Sequence, residues 1–255
     1  MLNGQARQFF QEWYQTSLGE RLLSEEHEAI EQALDHVIGY YLLIQSPLKQ
    51  LQLHNHRMRE TLNIAPVLEL GAPANTVVAT MDELPFDGDG LDAIVLHHTL
   101  DLSENPHRDL HEVARTLLPS GKLIIVGFNP WSTWGLRRPF VKRNRAPWAA
   151  RFISPARIED WLKVAGLTLD KREFVGFDVP LQSDRWRNRC SGLGRGMQSI
   201  NLPFGCVYVL TATKQTRRYI PIKPRWSAAK VRVPPLTKPT IKEVGFTPNH
   251  EKISE

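Results

Sequence analysis

Two almost wholly apolar segments on either side of a helix pattern constrain the fold of this chain most strongly. Residues 91–96 (LDAIVL) and 122–127 (KLIIVG) lack a polar face, so each is expected to form a strand buried on both sides. Between them, Asn105-Pro106 supplies a capping residue and a first-turn proline for a helix that ends before Pro119-Ser120-Gly121. The sequence therefore predicts a parallel α/β sheet with helices on both faces.

Further apolar runs extend this sheet. Strands are predicted at 39–45, 65–70, 76–80, 169–177 and 206–212, and a helix at 154–166. The last two strands are joined by a long irregular connection, 178–205, without a clear helix. Such a connection allows an antiparallel final strand.

Both ends of the chain differ from this core of residues 37–213. Residues 1–36 predict a helical extension, with a second helical run opening at Ser24. Residues 214–255 contain six prolines and scattered Lys and Arg, and their apolar residues show no sustained period. This segment is predicted to be a flexible, disordered basic tail.

The charge is unevenly distributed. Residues 1–130 hold 8 Lys and Arg against 18 Asp and Glu, whereas residues 131–213 hold 14 against 6 and residues 214–255 hold 10 against 3. Basic residues interleave with aromatic ones in 137–151 and 185–195, a combination that can bind RNA or another polyanion. The same charges would suit an anionic small-molecule or lipid acceptor, or a solvated face.

Composition also excludes several classes of protein. No run of about 18 apolar residues exists, so no membrane span is predicted, and the amino terminus lacks the pattern of a secretory signal. The two cysteines, Cys190 and Cys206, cannot form a disulfide scaffold or a four-thiolate zinc site. A cytoplasmic, reduced protein is expected.

A family resemblance rests on several of these segments together. The stretch 77–86 (VVATMDELPF), the strand 91–96, the helix that begins at Asn105-Pro106 and the segment 118–125 (LPSGKLII) resemble the class I S-adenosylmethionine-dependent methyltransferases of the type 11 group. The run 127–138 (GFNPWSTWGLRR) resembles an uncharacterised bacterial subgroup of that family. The resemblance implies a Rossmann-like, seven-stranded, mostly parallel sheet with an antiparallel last strand. It also implies S-adenosylmethionine as cofactor.

The turn after the first strand departs from the family. There the first strand ends in a glycine-rich turn that lets the backbone approach the methionine part of the cofactor, whereas this chain has Gln45-Ser46-Pro47. Side chains stand where glycine is expected, and Pro47 lacks an amide donor. Gln45 and Ser46 are nevertheless the cofactor-binding candidates at this position.

The remaining cofactor contacts also follow from the resemblance. Glu69 is the candidate for the acid that binds the ribose hydroxyls. Thr80 stands where the family usually has an acid near the adenine amino group, with Met81 and Asp82 beside it. The cofactor is expected across the carboxyl ends of the first and fourth strands, where the strand order reverses.

His97 and His98 follow the fourth strand, where the family places catalytic or substrate-facing groups. An imidazole there could take a proton from an acceptor near neutral pH. Alternatively, one packs under the next helix and the other only lines the cleft. Asp101 and Asn129 are expected at the same edge, where they could orient an acceptor, although Asn129-Pro130-Trp131 is also interpreted as a structural turn.

Two other patterns carry weaker signals. His107 and His111 have the i, i+4 spacing of a helical zinc site, but no third ligand is evident, so no metal is predicted. The glycines of residues 192–196 follow no strand and indicate a flexible connection rather than a dinucleotide loop.

The sequence thus predicts methyl transfer from S-adenosylmethionine to an unidentified acceptor. One alternative is a catalytically silent methyltransferase-like protein that binds RNA or a protein partner through its basic face. Another is a nicotinamide-dependent oxidoreductase, which the absence of GxGxxG opposes and which an antiparallel final hairpin would exclude.

Overall fold

The computed structural model describes residues 4–68, 70–141, 146–177 and 203–215. Seven strands form one sheet: β1 Ile38–Gln45, β2 Arg57–Ala65, β3 Thr76–Val78, β4 Leu91–His97, β5 Leu117–Phe128, β6 Leu167–Val175 and β7 Val207–Lys214. The helices of the described part are α1 Gly4–Tyr14, α2 Ser17–Leu34, α3 Thr99–Leu102, α4 Pro106–Thr116, α5 Thr133–Arg137 and α6 Pro155–Val164, with a short 3₁₀ helix at Arg138–Phe140.

The strand order is β3-β2-β1-β4-β5-β7-β6. β1 pairs in parallel with both β2 and β4, and β4 pairs in parallel with β5. β7 is antiparallel to its two neighbours, β5 and β6. The predicted seven-stranded, mostly parallel sheet with an antiparallel last strand is confirmed, and the antiparallel hairpin argues against the nicotinamide-dependent alternative.

Three local predictions are wrong. The second strand is β2, not 65–70, because its outward side chains are polar and hide the apolar pattern. α2 begins at Ser17 rather than Ser24, since the Thr16 side chain accepts a hydrogen bond from the Gly19 amide and caps the helix. β5 begins at Leu117 and passes through the predicted stop at residues 119–121 with an irregularity in its pairing to β4.

The amino-terminal helices α1 and α2 cover a face of the sheet that the connections between β1, β2 and β3 leave without helices. Within the described residues, no helix lies between β1 and β2 or between β2 and β3. Instead α1 and α2 pack their apolar side chains, including Phe10, Leu22 and Ile30, on the sheet face that carries Leu42 and Val95. The predicted helical extension is therefore part of the core.

The other face of the sheet is covered by α4 and α6, whose apolar residues join the same buried cluster. α4 also explains part of the type 11 resemblance. Glu112 accepts the Leu84 amide at 2.9 Å, and the Arg115 guanidinium donates to the carbonyls of Leu84 and Phe86. These bonds hold the Leu84-Pro85-Phe86 turn, which borders the segment Thr80-Met81-Asp82.

None of the described helices combines the length and the apolar character needed to cross a membrane. The predicted tail, apart from its first two residues, lies outside the described residues, as do the predicted connection at 178–202 and the glycines of residues 192–196.

Candidate active site

A cavity of about 480 Å³, measured with its open mouth, lies at the carboxyl ends of β1 and β4. We call it the acid-lined cavity, because two carboxylates and no Lys or Arg are among its lining residues. These are Gln45, Pro66, Ala79, Thr80, Met81, Asp82, Thr99, Ser103, Asn105 and Asp109.

Four of the six predicted cofactor residues line this cavity: Gln45, Thr80, Met81 and Asp82. Ser46 does not, and Glu69 lies outside the described residues. Pro66, one residue after β2, approaches the cavity from the side where the family places its ribose contact. The structure thus brings the ends of β1, β2 and β3 together around one opening, and the roles of these residues in cofactor binding stay predictions.

Gln45 is the most informative of these residues. Its side chain is buried, and its Oε1 atom has no hydrogen-bond partner among the described residues. Buried polar atoms are nearly always paired, so an unpaired acceptor at the wall of a cavity indicates a missing donor. The Gln45 backbone is fixed, since its carbonyl accepts a hydrogen bond from the Thr99 hydroxyl at 3.2 Å.

The amino-terminal helix α1 holds the turn that lacks glycine. The Pro47 carbonyl accepts hydrogen bonds from the Arg7 side chain at 3.1 Å and from the Gln11 amide at 3.2 Å. The Ser46 hydroxyl accepts the Leu48 amide and lies 2.8 Å from Nδ1 of His97. The turn after β1 is therefore positioned by side chains from outside the predicted domain 37–213.

Beneath this turn lies a set of polar side chains that we call the buried network: Tyr14, Glu26, Ser46, His97, His98 and Asp101. Glu26, on α2, lies 3.1 Å from Nε2 of His97 through Oε2 and 3.1 Å from Nε2 of His98 through Oε1. Nδ1 of His98 is 3.0 Å from Asp101, and the Tyr14 hydroxyl donates to Glu26 at 3.0 Å. All of these side chains are buried.

The two histidines differ in protonation. Burial lowers the pKa of His97, and its value of about 4 leaves it neutral. Burial also disfavours a charge on His98, but the carboxylates of Glu26 and Asp101 outweigh it and raise the pKa of His98 to about 9. Burial opposes the charge on Glu26 as well, yet the His98 charge and both imidazole hydrogen bonds lower the pKa of Glu26 to about 2.

These states give a consistent set of hydrogen bonds. His98, protonated, donates to Glu26 and to Asp101, whereas neutral His97 donates through Nε2 to Glu26 and accepts the Ser46 hydroxyl at Nδ1. All four ring nitrogens are thereby used inside the protein. The expectation that His97 or His98 faces the cleft is wrong in this structure, since both side chains are 0% exposed.

Asp101 and Asn129 also serve the fold. Oδ2 of Asp101 accepts the Phe128 amide at 2.9 Å, and burial raises the pKa of Asp101. The Asn129 amide donates to two backbone carbonyls, and its oxygen accepts the Trp131 amide at 3.0 Å. The structure therefore supports the interpretation of Asn129-Pro130-Trp131 as a structural turn.

A second cavity, which we call the arginine-lined cavity, opens beside the first and measures about 780 Å³ with its mouth. Its described lining carries three guanidinium groups, three aromatic side chains and no acid. The two cavities adjoin at the start of α4, where Asn105 lines one and Pro106 lines the other. The lining residues are Pro106, Pro130, Trp131, Arg138, Arg151, Phe152, Ile153, Ser154, Arg157 and Trp161.

Arg138 and Arg151, which line this cavity, belong to the predicted basic region 137–151. Lys142, Arg143 and Arg145 of that region lie outside the described residues, as does the whole region 185–195. The ring of His107 packs 3.9 Å, centroid to centroid, from that of Trp161.

Among the described residues, the group able to hold a metal ion is Glu26, His97 and His98, whose donor atoms lie within 4.8 Å of one another. Each of these ligand nitrogens and oxygens already has a hydrogen-bond partner in the network. The hydrogen bonds of these three side chains are therefore satisfied without a metal ion.

Sequence reasoning missed Glu26, Tyr14 and Arg7. A signal for Glu26 exists, since it lies four residues from both Leu22 and Ile30 on the apolar stripe of α2. A carboxylate at such a position needs a buried partner, but the sequence does not name partners that lie 71 and 72 residues away.

Comparison with known proteins supports the family resemblance over part of the chain. Residues 48–125 match a family profile described as a methyltransferase domain, of the type 11 group. A curated relative, the uncharacterized protein YafS of Escherichia coli strain K12, is 33% identical over 140 residues, which are 52% of this chain and 52% of that protein. The chain therefore matches about half the length of this relative.

Solved structures share the fold. A chain of the Haloferax volcanii complex between the Trm112 methyltransferase activator and a methyltransferase superposes with a TM-score of 0.57 at 16% identity, covering 81% of this chain and 98% of that one. A methyltransferase from Thermotoga maritima gives 0.55 at 17% identity, covering 82% and 98%. The profile match and the shared fold confirm the resemblance to the class I methyltransferases of the type 11 group.

Proposed function

We propose that this chain, a type 11-like class I methyltransferase by family match and fold, binds S-adenosylmethionine in the acid-lined cavity and transfers its methyl group to a small acceptor. The single observation that carries the proposal is the buried, unpaired Oε1 of Gln45 at the wall of that cavity. A donor supplied by a ligand, such as an ammonium or an adenine amino group, would satisfy it.

The residues present fit S-adenosylmethionine in charge. The cofactor has a sulfonium and an ammonium group against one carboxylate, so it is a net cation. Asp82 and Asp109 supply negative charge to the cavity, and no Lys or Arg is among its described lining residues. Opposite charges at such close range favour binding, and partial burial strengthens the interaction.

The fit in shape rests on different residues. Ala79, Met81 and Pro66 give the cavity an apolar side, which suits a planar base. Thr80 and Asp82 add polar groups beside it, as the resemblance implies. We expect Gln45 to hold the methionine end, where the family uses backbone rather than a side chain.

Bound S-adenosylmethionine would supply an electrophilic methyl group on a positively charged sulfur. The chain's own contribution is then to hold the acceptor in line and to exclude water. The buried network does not contact the cavity with its imidazoles. We propose that His97 and His98 act as positioning residues, which fix the ends of β1 and β4 around the site.

The alternative of a catalytically silent binding protein is not favoured by the methyltransferase match. Its motivation was the missing glycine turn. In the structure α1 holds Pro47 by two hydrogen bonds, and the turn leaves a cavity beside Gln45. A cavity thus remains beside Gln45 although side chains replace glycine.

Calorimetric titration with S-adenosylmethionine and S-adenosylhomocysteine tests the proposal, and Gln45→Met sharpens it. We expect micromolar binding, about −8 kcal/mol, in the unaltered protein. The substitution removes an acceptor that is unpaired in the free protein, so the free energy of unfolding should stay the same or rise while affinity falls about tenfold.

Gln52→Met, a change at an exposed glutamine away from the cavity, is the matched control and should bind like the unaltered protein. The absence of binding at millimolar ligand would refute the proposal. Unchanged affinity in Gln45→Met would place the cofactor elsewhere.

A further inference from the structure

The arginine-lined cavity is the strongest unexplained feature beside the cofactor site. From it we infer that the methyl acceptor is a small, planar, anionic molecule, an aromatic ring that carries a carboxylate or a phosphate. This inference rests on the proposed function only in calling the ligand an acceptor. The ligand chemistry itself follows from the residues that line the cavity.

The lining of the arginine-lined cavity is positively charged. Arg138, Arg151 and Arg157 line the cavity, and no Asp or Glu is among its described lining residues. Within the described part of the chain, no carboxylate lies within salt-bridge distance of Arg151 or Arg157. Arg151 donates to the Glu104 carbonyl at 3.1 Å, which leaves its charge uncompensated. Guanidinium groups bind carboxylates and phosphates in a planar, bidentate manner.

Aromatic side chains form part of the wall of this cavity. Trp131 is 69% exposed, an unusual state for an indole, and it lines the cavity. Trp161 is held in place by the Arg157 guanidinium, 5.8 Å from its ring centroid, and by the ring of His107. Large exposed aromatic surface beside cations marks a binding site for a flat ligand, which can stack on the rings while its charge meets the arginines.

The arginine-lined cavity lies near the acid-lined cavity in the fold. Asn105 lines the acid-lined cavity and its neighbour Pro106 lines the arginine-lined cavity, so both cavities have a wall at the start of α4. Arg151 is fixed relative to the buried network, because its amide donates to the Asp101 carbonyl at 2.8 Å. An acceptor here would lie next to the cofactor, as methyl transfer requires.

The charges form a bounded cavity rather than a stripe. A groove for a nucleic acid tracks a backbone over several nucleotides with successive basic residues. Here three guanidiniums and the aromatic rings surround about 390 Å³ of space that water-sized molecules can reach, the size of a small-molecule site. The observations therefore favour a small anion over RNA.

The test compares a matched pair of probes, 4-hydroxybenzoate and its neutral analogue 4-hydroxybenzamide, by calorimetry with and without S-adenosylhomocysteine. We expect the carboxylate to bind about tenfold more tightly, since charge-assisted hydrogen bonds to arginine contribute a discrimination of this size. Phenyl phosphate, titrated in parallel, shows which of the two anionic groups the cavity prefers.

Two variants locate the effect. Arg157→Ala should abolish the preference for the anion. Arg59→Ala should retain it, although Arg59 makes a comparable cation–π contact, 5.8 Å from the centroid of the Tyr40 ring, away from the cavity. Both arginines are exposed, so thermal unfolding should show that each variant folds.

The inference is overturned if the carboxylate and the amide bind equally, if neither anion binds at millimolar concentration, or if Arg157→Ala keeps the preference. Binding of a short single-stranded RNA that Arg157→Ala abolishes, without binding of the small anions, would assign the cavity to nucleic acid instead. S-adenosylhomocysteine binding without an anion preference rejects this inference alone. An anion preference without S-adenosylhomocysteine binding rejects the proposed function alone.

Discussion

The two cavities at the edge of the sheet are neighbours with opposite chemistry. The acid-lined cavity carries Asp82 and Asp109, whereas the arginine-lined cavity carries three guanidiniums and no acid among its described lining residues. A sulfonium cofactor suits the first and an anionic acceptor the second. The distribution of charge over this edge thus distinguishes a side suited to the methyl donor from a side suited to the methyl acceptor. Neither side has a recognisable sequence motif.

The cavities share one support. From Ser46 the buried network runs through His97, Glu26 and His98 to Asp101. One end adjoins Gln45 of the acid-lined cavity, and the other accepts the amide of Arg151, which lines the arginine-lined cavity. Both cavities should therefore respond to a change in the middle of the network.

The largest effect is expected from Glu26→Gln. This change removes one of the two carboxylates that pair with buried, charged His98 and leaves Asp101 as the other; breaking a buried pair costs about 3–5 kcal/mol. We expect the free energy of unfolding, measured with urea, to fall by about that amount and the affinities of both cavities to fall with it.

Glu28→Gln is the matched control, because Glu28 is an exposed residue of the same helix. It should leave stability within about 0.5 kcal/mol of the unaltered protein. A Glu26→Gln variant as stable as this control would show that the network does not support the cavities.

The pH dependence of stability should be the next largest effect. In the folded protein His97 and His98 together hold one titratable proton, which is on His98, between about pH 4 and pH 9. In the unfolded chain the two imidazoles hold two titratable protons below about pH 6.5 and none above it. Stability should therefore peak near pH 6.5 and fall on both sides, by on the order of 1 kcal/mol per pH unit.

Each side of this peak has its own cause. As pH rises from 6.5 to 9, the stabilisation from charged His98 is lost, and as pH falls from 6.5 to 4, protons bind to His97 in the unfolded chain. Below pH 4.5 the stabilisation from ionised Glu26 is lost as well. Urea unfolding at a series of pH values measures the curve. A stability that keeps rising from pH 6.5 to pH 9 would contradict the assignment of a proton to His98.

The smallest effect is expected from Asp82→Asn. Asp82 is partly exposed and lies 3.8 Å from Arg108, so its pull on a cofactor cation is screened. We expect affinity for S-adenosylmethionine to fall about threefold while affinity for the less cationic S-adenosylhomocysteine hardly changes. Glu83→Gln, at an exposed acid that does not line the cavity, should change neither affinity. Equal losses for both ligands would show that Asp82 acts through shape and not through charge.

The central strands could be predicted from the sequence because they are buried on both sides. β4 and β5 are apolar on both faces, and Pro106 and Asn105 mark the helix between them. The strand β2 could not be predicted in this way, since the exposed residues Arg57 and Arg59 break its apolar pattern.

The candidate site also contains residues that the sequence predicts and residues that it does not. The segment Thr80-Met81-Asp82 is predicted to bind the cofactor because its neighbours carry the family pattern, and the structure places it at the acid-lined cavity. Glu26 and Arg7 were not, because their meaning depends on tertiary contacts with residues far away in the sequence. His97 is the last residue of β4 and His98 follows it, close to where the sequence predicts them. Their burial could not be predicted, since Glu26 and Tyr14 reach them from the amino-terminal helices.

The most direct test of the central claim is a crystal structure of the protein with S-adenosylhomocysteine and 4-hydroxybenzoate. We predict S-adenosylhomocysteine in the acid-lined cavity, with a donor group of the ligand within hydrogen-bond distance of Oε1 of Gln45. The benzoate should lie between Trp131 and Arg157. S-adenosylhomocysteine in the arginine-lined cavity, or an acid-lined cavity that stays empty at saturating ligand, would contradict the account.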